Sequence, residues 1–152
     1  MFKKILVAID GSEASLHALE IAAEMAENDN AELTILTVAP YPPPMFTEDS
    51  MTSILPRYQD DLRESYEKVL KETNQKLLEK HPTLKTVPIF MEGNPSKHII
   101  DTAQARDSDL IILGSRGTSG IIDWMLGSVA RHIVEHCTAP VLIVKDEKYC
   151  QA

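Results

Sequence analysis

The stretch Leu110-Ile111-Ile112-Leu113-Gly114-Ser115-Arg116-Gly117-Thr118-Ser119-Gly120, which closes at Gly127-Ser128, decides how the rest of the chain is read. Its four consecutive apolar residues have the pattern of a strand covered on both faces, as in parallel sheets flanked by helices. A glycine-rich bend follows, and then a helix-like segment. Helix starts have unpaired N–H donors, and glycines clear the approach to them, so this order of parts reads as a phosphate cradle.

Working outward, the same alternation recurs. Lys4 to Ile9 (KILVAI) reads as a buried strand that ends at Asp10-Gly11-Ser12. Ser12 suits the cap of a helix with Leu16, Leu19, Ala23 and Ala26 on its inner face, ended by Asn28-Asp29-Asn30. Leu33 to Val38 is the second strand, and the Pro-rich stretch of residues 40–52 reads as a surface loop. A long amphipathic helix is expected from about Ser53 to Lys80, with Leu55, Tyr58, Leu62, Tyr66, Val69 and Leu77 facing inward. Pro56 suits only its first turn, and His81-Pro82 stops it. Residues 85–91 form a third strand, which Pro88 assigns to a sheet edge. Asn94 caps the next helix, with Pro95 in its first turn and Ile99, Ile100 and Ala103 inward. Asp109 to Leu113, Ser128 to His136 and Val141 to Val144 complete the series as strand, helix and strand.

Strand and helix therefore alternate throughout, which predicts a doubly wound α/β domain: a parallel sheet with right-handed crossovers and helices on both faces. No internal linker or repeat interrupts the pattern, so residues 1–152 read as one domain, with 146–152 as a tail. The length of 152 residues suits a full core. No apolar run approaches the roughly 20 residues that span a bilayer, and the N-terminus lacks a signal-peptide pattern. A cytoplasmic protein without a membrane partner is expected. The net charge of −8 argues against generic nucleic-acid binding. Cys137 and Cys150 form neither a disulfide framework nor metal-ligand spacing. Cys137 reads as a small hydrophobe and Cys150 as a free thiol in a polar tail. His132 and His136 lie one helical turn apart without an evident third ligand. With His98, they read as solvent-facing.

Ligands of open α/β sheets bind beyond the carboxyl ends of the strands, where strand order reverses. Asp10 follows the first strand, Val38 ends the second, and the glycine loop follows the fourth. If the first and fourth strands are neighbours, these features share one crevice. Backbone N–H groups near Gly117, Gly127 and Ser128 would then hold phosphate oxygens, and the Ser128 hydroxyl can donate too. Arg116 would contact phosphate or ribose. Asp10 would bond the base or sugar edge, or position a divalent ion. Ala8 and Val38 would offer apolar surface to a base. Each residue also has a plain alternative. Ser128 or Asp10 suits a helix cap, Gly127 a turn, Arg116 an exposed loop cation, and Ala8 and Val38 the core. Neither the Gly-Lys-Ser/Thr ending of a P-loop nor a G-x-G-x-x-G fingerprint is present. Without a lysine over the terminal phosphates the site reads as a holder of nucleotide rather than a motor.

Gly114-x2-Gly117-x9-Gly127-Ser128 resembles the glycine motif of the ATP-binding universal stress proteins. The likeness extends to Ile5-Leu6-Val7-Ala8-Ile9-Asp10-Gly11-Ser12 at the start and to Ala139-Pro140-Val141-Leu142-Ile143-Val144 at the end. This resemblance implies a five-stranded sheet in the order 3-2-1-4-5, which supplies the adjacency assumed above. It implies ATP as ligand, with Mg²⁺ or Mn²⁺ carried by the phosphates. Carried over by position, Ala8, Asp10 and Val38 surround adenine and ribose. Gly114, Arg116, Gly117, Gly127, Ser128 and Val129 surround ribose and phosphates. A homodimer through Val141–Val144 and a regulatory or buffering role under stress are also implied. Two further readings stay open: a slow ATP hydrolase in which Asp10 orients metal or water, and an interaction module without nucleotide.

Overall fold

The structure, a computed structural model, describes residues 1–41, 55–116 and 126–145. Five strands, β1 (Lys4–Ala8), β2 (Glu32–Ala39), β3 (Lys85–Glu92), β4 (Leu110–Gly114) and β5 (Val141–Val144), alternate with four helices. These are α1 (Glu13–Asp29), α2 (Leu55–Lys80), α3 (Pro95–Ala105) and α4 (Ser128–His136). All strand pairs are parallel, and the sheet order is β3-β2-β1-β4-β5. The expected order 3-2-1-4-5 is thus realised, with strand order reversing at β1. Of the surface loop expected over residues 40–52 only residues 40 and 41 are described, and the expected helix start at Ser53 and the expected tail 146–152, including Cys150, lie outside the described residues.

Alternation along the central strands divides the core. Ile5, Val7 and Ile9, with Leu33, Ile35, Leu110 and Ile112, pack beneath α1 and α2. Leu6, Leu36, Val38, Ile111 and Leu113 pack on the opposite face against Ile99 and Ala103 of α3 and Ala130 and Ile133 of α4. Side chains on successive strand residues point to opposite faces, so both parities must be apolar when helices cover both sides.

Helix α1 lies close to the sheet because its inner face is small: Ser15, Ala18, Ala22, Ala23 and Ala26 are buried with Leu19. Leu16, expected inward, is instead 36% exposed at the margin of that face. Ser12 caps the helix as expected, accepting the Ser15 N–H at 3.3 Å, and Asn30 ends it in the left-handed conformation at φ 51°. On α2, Leu70 and Leu77 are buried, while Leu62, Tyr66 and Val69 are only half-buried and Tyr58 is 45% exposed. Pro88 does lie on an edge strand, in register with Ile35 of β2.

The start of β1 is held by two carboxylates from elsewhere in the chain. Asp109, just before β4, accepts the N–H groups of Lys3 and Lys4 at 2.8 and 3.1 Å. Asp29, the last residue of α1, accepts the Phe2 N–H at 2.7 Å, and the terminal ammonium lies 3.0 Å away. The Phe2 N–H, followed by the ammonium, holds the Asp29 carboxyl below its ordinary value. A carboxyl with a lower pKa folded than unfolded stabilises the protein above its unfolded pKa, about 3.9. It loses that contribution as pH falls through the folded value. Asp29→Asn should therefore lower the denaturation midpoint at neutral pH, with the difference from wild type shrinking as pH falls below about 4. Denaturant melts across that range check it, and a difference that stays constant with pH would contradict the linkage.

Candidate nucleotide site at the carboxyl end of the sheet

The turn after β1 is bonded to itself. The Asp10 Oδ1 accepts the Ser12 N–H at 2.9 Å, and the Asp10 N–H donates to Ser15 Oγ at 3.3 Å. The Ser15 hydroxyl in turn donates to the Ser12 carbonyl at 2.9 Å. Gly11 supplies the left-handed corner at φ +84°, a conformation glycine adopts without a Cβ penalty. The alternative reading of Asp10 as helix cap is corrected here. Ser12 is the cap, and one Asp10 oxygen braces the turn beneath it.

Gly114 joins this turn to the glycine loop. A Cβ on Gly114 would meet the carbonyl carbon and oxygen of Ala14 at 2.8 and 2.9 Å and the Ser15 nitrogen at 2.9 Å. Only a residue without a side chain lets the end of β4 lie against the first turn of α1. Its position therefore has a packing cause, whatever it does for a ligand. Just beyond, the Ser115 N–H donates to Val144 O at 2.8 Å and the Gly127 N–H donates to Ser115 O at 2.7 Å. The two ends of the loop are thereby tied together. Arg116 is half-buried directly after Ser115; Gly117 lies outside the described residues.

Gly127 occupies the cap position of α4, with φ −61° and ψ 158° and no side-chain cap hydrogen bond. Ser128 is the first helical residue and is exposed, so the reading of Ser128 as cap is corrected too. The contrast with α1 and α3 is chemical. Ser12 and Asn94 each give a side-chain oxygen to their helices, at 3.3 and 3.0 Å, whereas Gly127, the cap residue of α4, has none to give. Unsatisfied amides with the positive end of the helix dipole attract anions. Val129 packs its side chain against the α3–α4 face of the core, as Ala8 does, so it has its backbone N–H to offer. Val38 is 7% exposed in the same cluster.

Among the described residues no three His, Cys, Asp or Glu side chains converge on a metal position. Asp10 is the acidic residue in the turn after β1. A divalent ion here would take most of its ligands from phosphate oxygens and water, as suits Mg²⁺. His132 and His136 stack at 4.1 Å between ring centroids and are exposed, in keeping with the sequence reading.

Sequence reading missed His98. It is half-buried, and its Nε2 donates to the Glu92 carbonyl at 2.8 Å rather than facing solvent. The adjacent Gly93 has φ +130°, and a Cβ there would lie 2.9 Å from His98 Nε2 and 3.4 Å from Tyr41 Cε2. The available signal was the Gly93-Asn94-Pro95 turn itself, which leaves a residue of the first helical turn to close back on the strand end.

The fold defines a doubly wound α/β protein whose candidate ligand crevice lies over β1 and β4. The universal stress protein family matches residues 1–145. The universal stress protein YxiE of Bacillus subtilis (strain 168) is 38% identical over 152 residues, covering 95% of this chain and all of that protein. The universal stress protein UspA from Lactobacillus plantarum has a solved structure with TM-score 0.79 and 27% identity, covering 93% of this chain and 97% of that one. A universal stress protein crystallised in complex with cAMP has TM-score 0.66 and 25% identity, covering 95% and 97%. The chain belongs to the universal stress protein family. No described helix is long and apolar enough to cross a membrane.

Gly114→Ala should destabilise the fold by about 1–3 kcal/mol, because the new methyl meets main chain rather than a yielding side chain. Urea denaturation checks this. A midpoint within error of wild type would mean that β4 and α1 can separate without loss.

Proposed function

We propose that this chain binds an adenine nucleotide, ATP in the first instance, with Mg²⁺ or Mn²⁺ carried by the phosphates, and that it serves as a nucleotide-dependent regulator or buffer in stress responses. The observation that carries the reading is the start of α4, capped by a glycine that gives no side-chain oxygen and tied to the end of β4. Phosphates would rest on the amides of Ser128 and Val129, with the Ser128 hydroxyl, Gly117 and Arg116 around them. Gly114 would keep the floor of the site low, and Asp10, Ala8 and Val38 would border ribose and base. The cAMP held by a relative that is 25% identical supports an adenine nucleotide in particular.

The slow-hydrolase reading draws less support. Oδ1 of Asp10 is engaged by the Ser12 N–H, so the carboxylate that would orient metal or water also holds its own turn together. The regulatory reading needs only binding and a changed surface around the loop, which a ligand with different affinity for two states supplies.

We also infer that two copies pair along β5 as a homodimer. β5 is an edge strand of sequence Val-Leu-Ile-Val, with its first three side chains half-buried. An apolar edge strand that no described element pairs with on its outer side invites another chain. Sedimentation velocity should give twice the chain mass, and a monomer at every loading concentration would refute the pairing.

Calorimetric titration with Mg·ATP tests the nucleotide reading. Saturable binding is expected, and Gly127→Ile should weaken it by at least about tenfold, since a side chain at the cap stands over the amides. The same variant should cost the fold no more than about 1 kcal/mol, because φ −61° suits any residue while isoleucine caps a helix less well than glycine. No heat at millimolar nucleotide, or an unweakened variant, would count against the site.

A further inference from the structure

The end of β2 and the turn between β3 and α3 lie side by side at the carboxyl end of the sheet. The Gly93 N–H donates to Ala39 O at 2.9 Å, so this turn is fixed beside Val38 and Ala39. Two rings flank Gly93: Tyr41, 66% exposed, and His98, half-buried. Ile99, the residue after His98, shares one apolar cluster with Val38 of β2 and Ala130 in the first turns of α4. His98 therefore stands at one end of a continuous floor whose other end is the anion-attracting start of α4. The strands between them, β4 to β2 and β3, span about 10–14 Å at the usual strand spacing. That separation suits a ligand with its phosphates at one end and its base at the other.

The chemistry of His98 is set by its partner. A carbonyl only accepts, so the Nε2 bonded to Glu92 O carries the hydrogen. In the neutral ring Nδ1 then carries the lone pair. The Nε2–Cδ2 edge faces Gly93, at 2.9 and 3.4 Å from where its Cβ would be. In a five-membered ring the atom opposite that edge is Nδ1, so the acceptor points away from the turn. Among the described residues nothing donates to it. An oriented acceptor beside an exposed aromatic ring has the parts of a base reader: a surface to stack on and an atom to receive an amine.

We propose that Tyr41, Gly93 and His98 form the base-reading wall of the site, and that His98 Nδ1 selects 6-amino purines by accepting a hydrogen bond from the exocyclic amine. This rests on the nucleotide reading above and deepens it. A 6-oxo purine places an acceptor against the same lone pair and is disfavoured.

The test compares ATP, ITP and purine riboside triphosphate, which share ribose and phosphates and differ at position 6. Wild type should bind ATP about tenfold more tightly than either analogue, the loss of one hydrogen bond. His98→Leu should bring ATP to the ITP level and leave ITP unchanged. Equal affinities for all three ligands in wild type overturn the proposal while leaving nucleotide binding intact. So does a leucine variant that keeps the full preference, or one that weakens all three ligands equally, which would make His98 a brace for the turn only. Absence of binding by any of them in wild type fails the nucleotide reading itself, and this inference with it. Should His98→Leu not fold, the ¹⁵N resonance of His98 Nδ1 in wild type decides. It should move with ATP and stay with ITP, and an equal response to both overturns the assignment.

Discussion

The close approach of β4 to the first turn of α1 is the contact on which the site depends. A strand end and a helix start can meet main chain to main chain only where one of them lacks a side chain, and Gly114 is that residue. The consequences run outward from there. The turn at Asp10 and the turn at Ser115 become neighbours, because β1 and β4 are paired and Gly114 closes the gap above them. Ser115 then anchors both β5, through Val144, and the start of α4, through Gly127. The amides of α4 face the crevice end of the sheet because the segment before them is tied to a strand end. A helix start held on such an anchor is pre-organised, so a ligand need not bear the cost of ordering it.

Small residues on α1 belong to the same constraint. Ala18, Ala22, Ala23 and Ala26 let the whole helix sit close to the sheet, and Gly114 continues that close packing to its first turn. A larger residue along this face would lift α1 and with it the Ser12 cap and the Asp10 turn. Fold and site are therefore coupled through one interface. Gly114 cannot be assigned wholly to ligand binding even if phosphates lie above it.

Elements with strong period were legible in the sequence, and side chains at the margins of their faces were not. The apolar runs at residues 4–9, 33–38, 110–113 and 141–144 give strands because helices cover both sides of the sheet, leaving no polar parity to confuse the pattern. The caps at Ser12 and Asn94 were legible for a local reason: a short polar side chain reaches an amide three residues on. Leu16 and Tyr58 failed because helical periodicity marks a face without marking its width. Helix α2 covers the β2–β3 side near the sheet edge, so Leu62, Tyr66 and Val69 reach the core only partly while Leu70 is buried. His81 is 8% exposed and places Nδ1 2.6 Å from Glu27, a partner 54 residues away. No local pattern reports such a pair. In the candidate site, the glycine spacing marked the α4 start, but it gave no sign that Gly114 is required for contact with α1. His98 escaped because its partner is a main-chain carbonyl, which leaves no trace in side-chain chemistry.

The nucleotide proposed as ligand is a polyanion, and a protein of net charge −8 that bound it would face a long-range penalty, which the arrangement at α4 would have to overcome. Arg116 is the cation that accompanies the described part of the loop, and clustered lysines are absent from Gly114 to Val129. Most of the attraction must come from fixed main-chain dipoles, which act within the first turn of a helix and are indifferent to distant charge. Such a site favours phosphate oxygens by geometry at short range. It would exert little pull on a polyanion at a distance, because the field beyond a Debye length remains that of an acidic protein. The same economy limits its chemistry. Amides that cradle phosphate without a lysine over the leaving oxygens hold a nucleotide more readily than they cleave it. The structural work done by Asp10 at its own turn points the same way, since a carboxylate bonded to the backbone of its turn is poorly free to follow a reacting water.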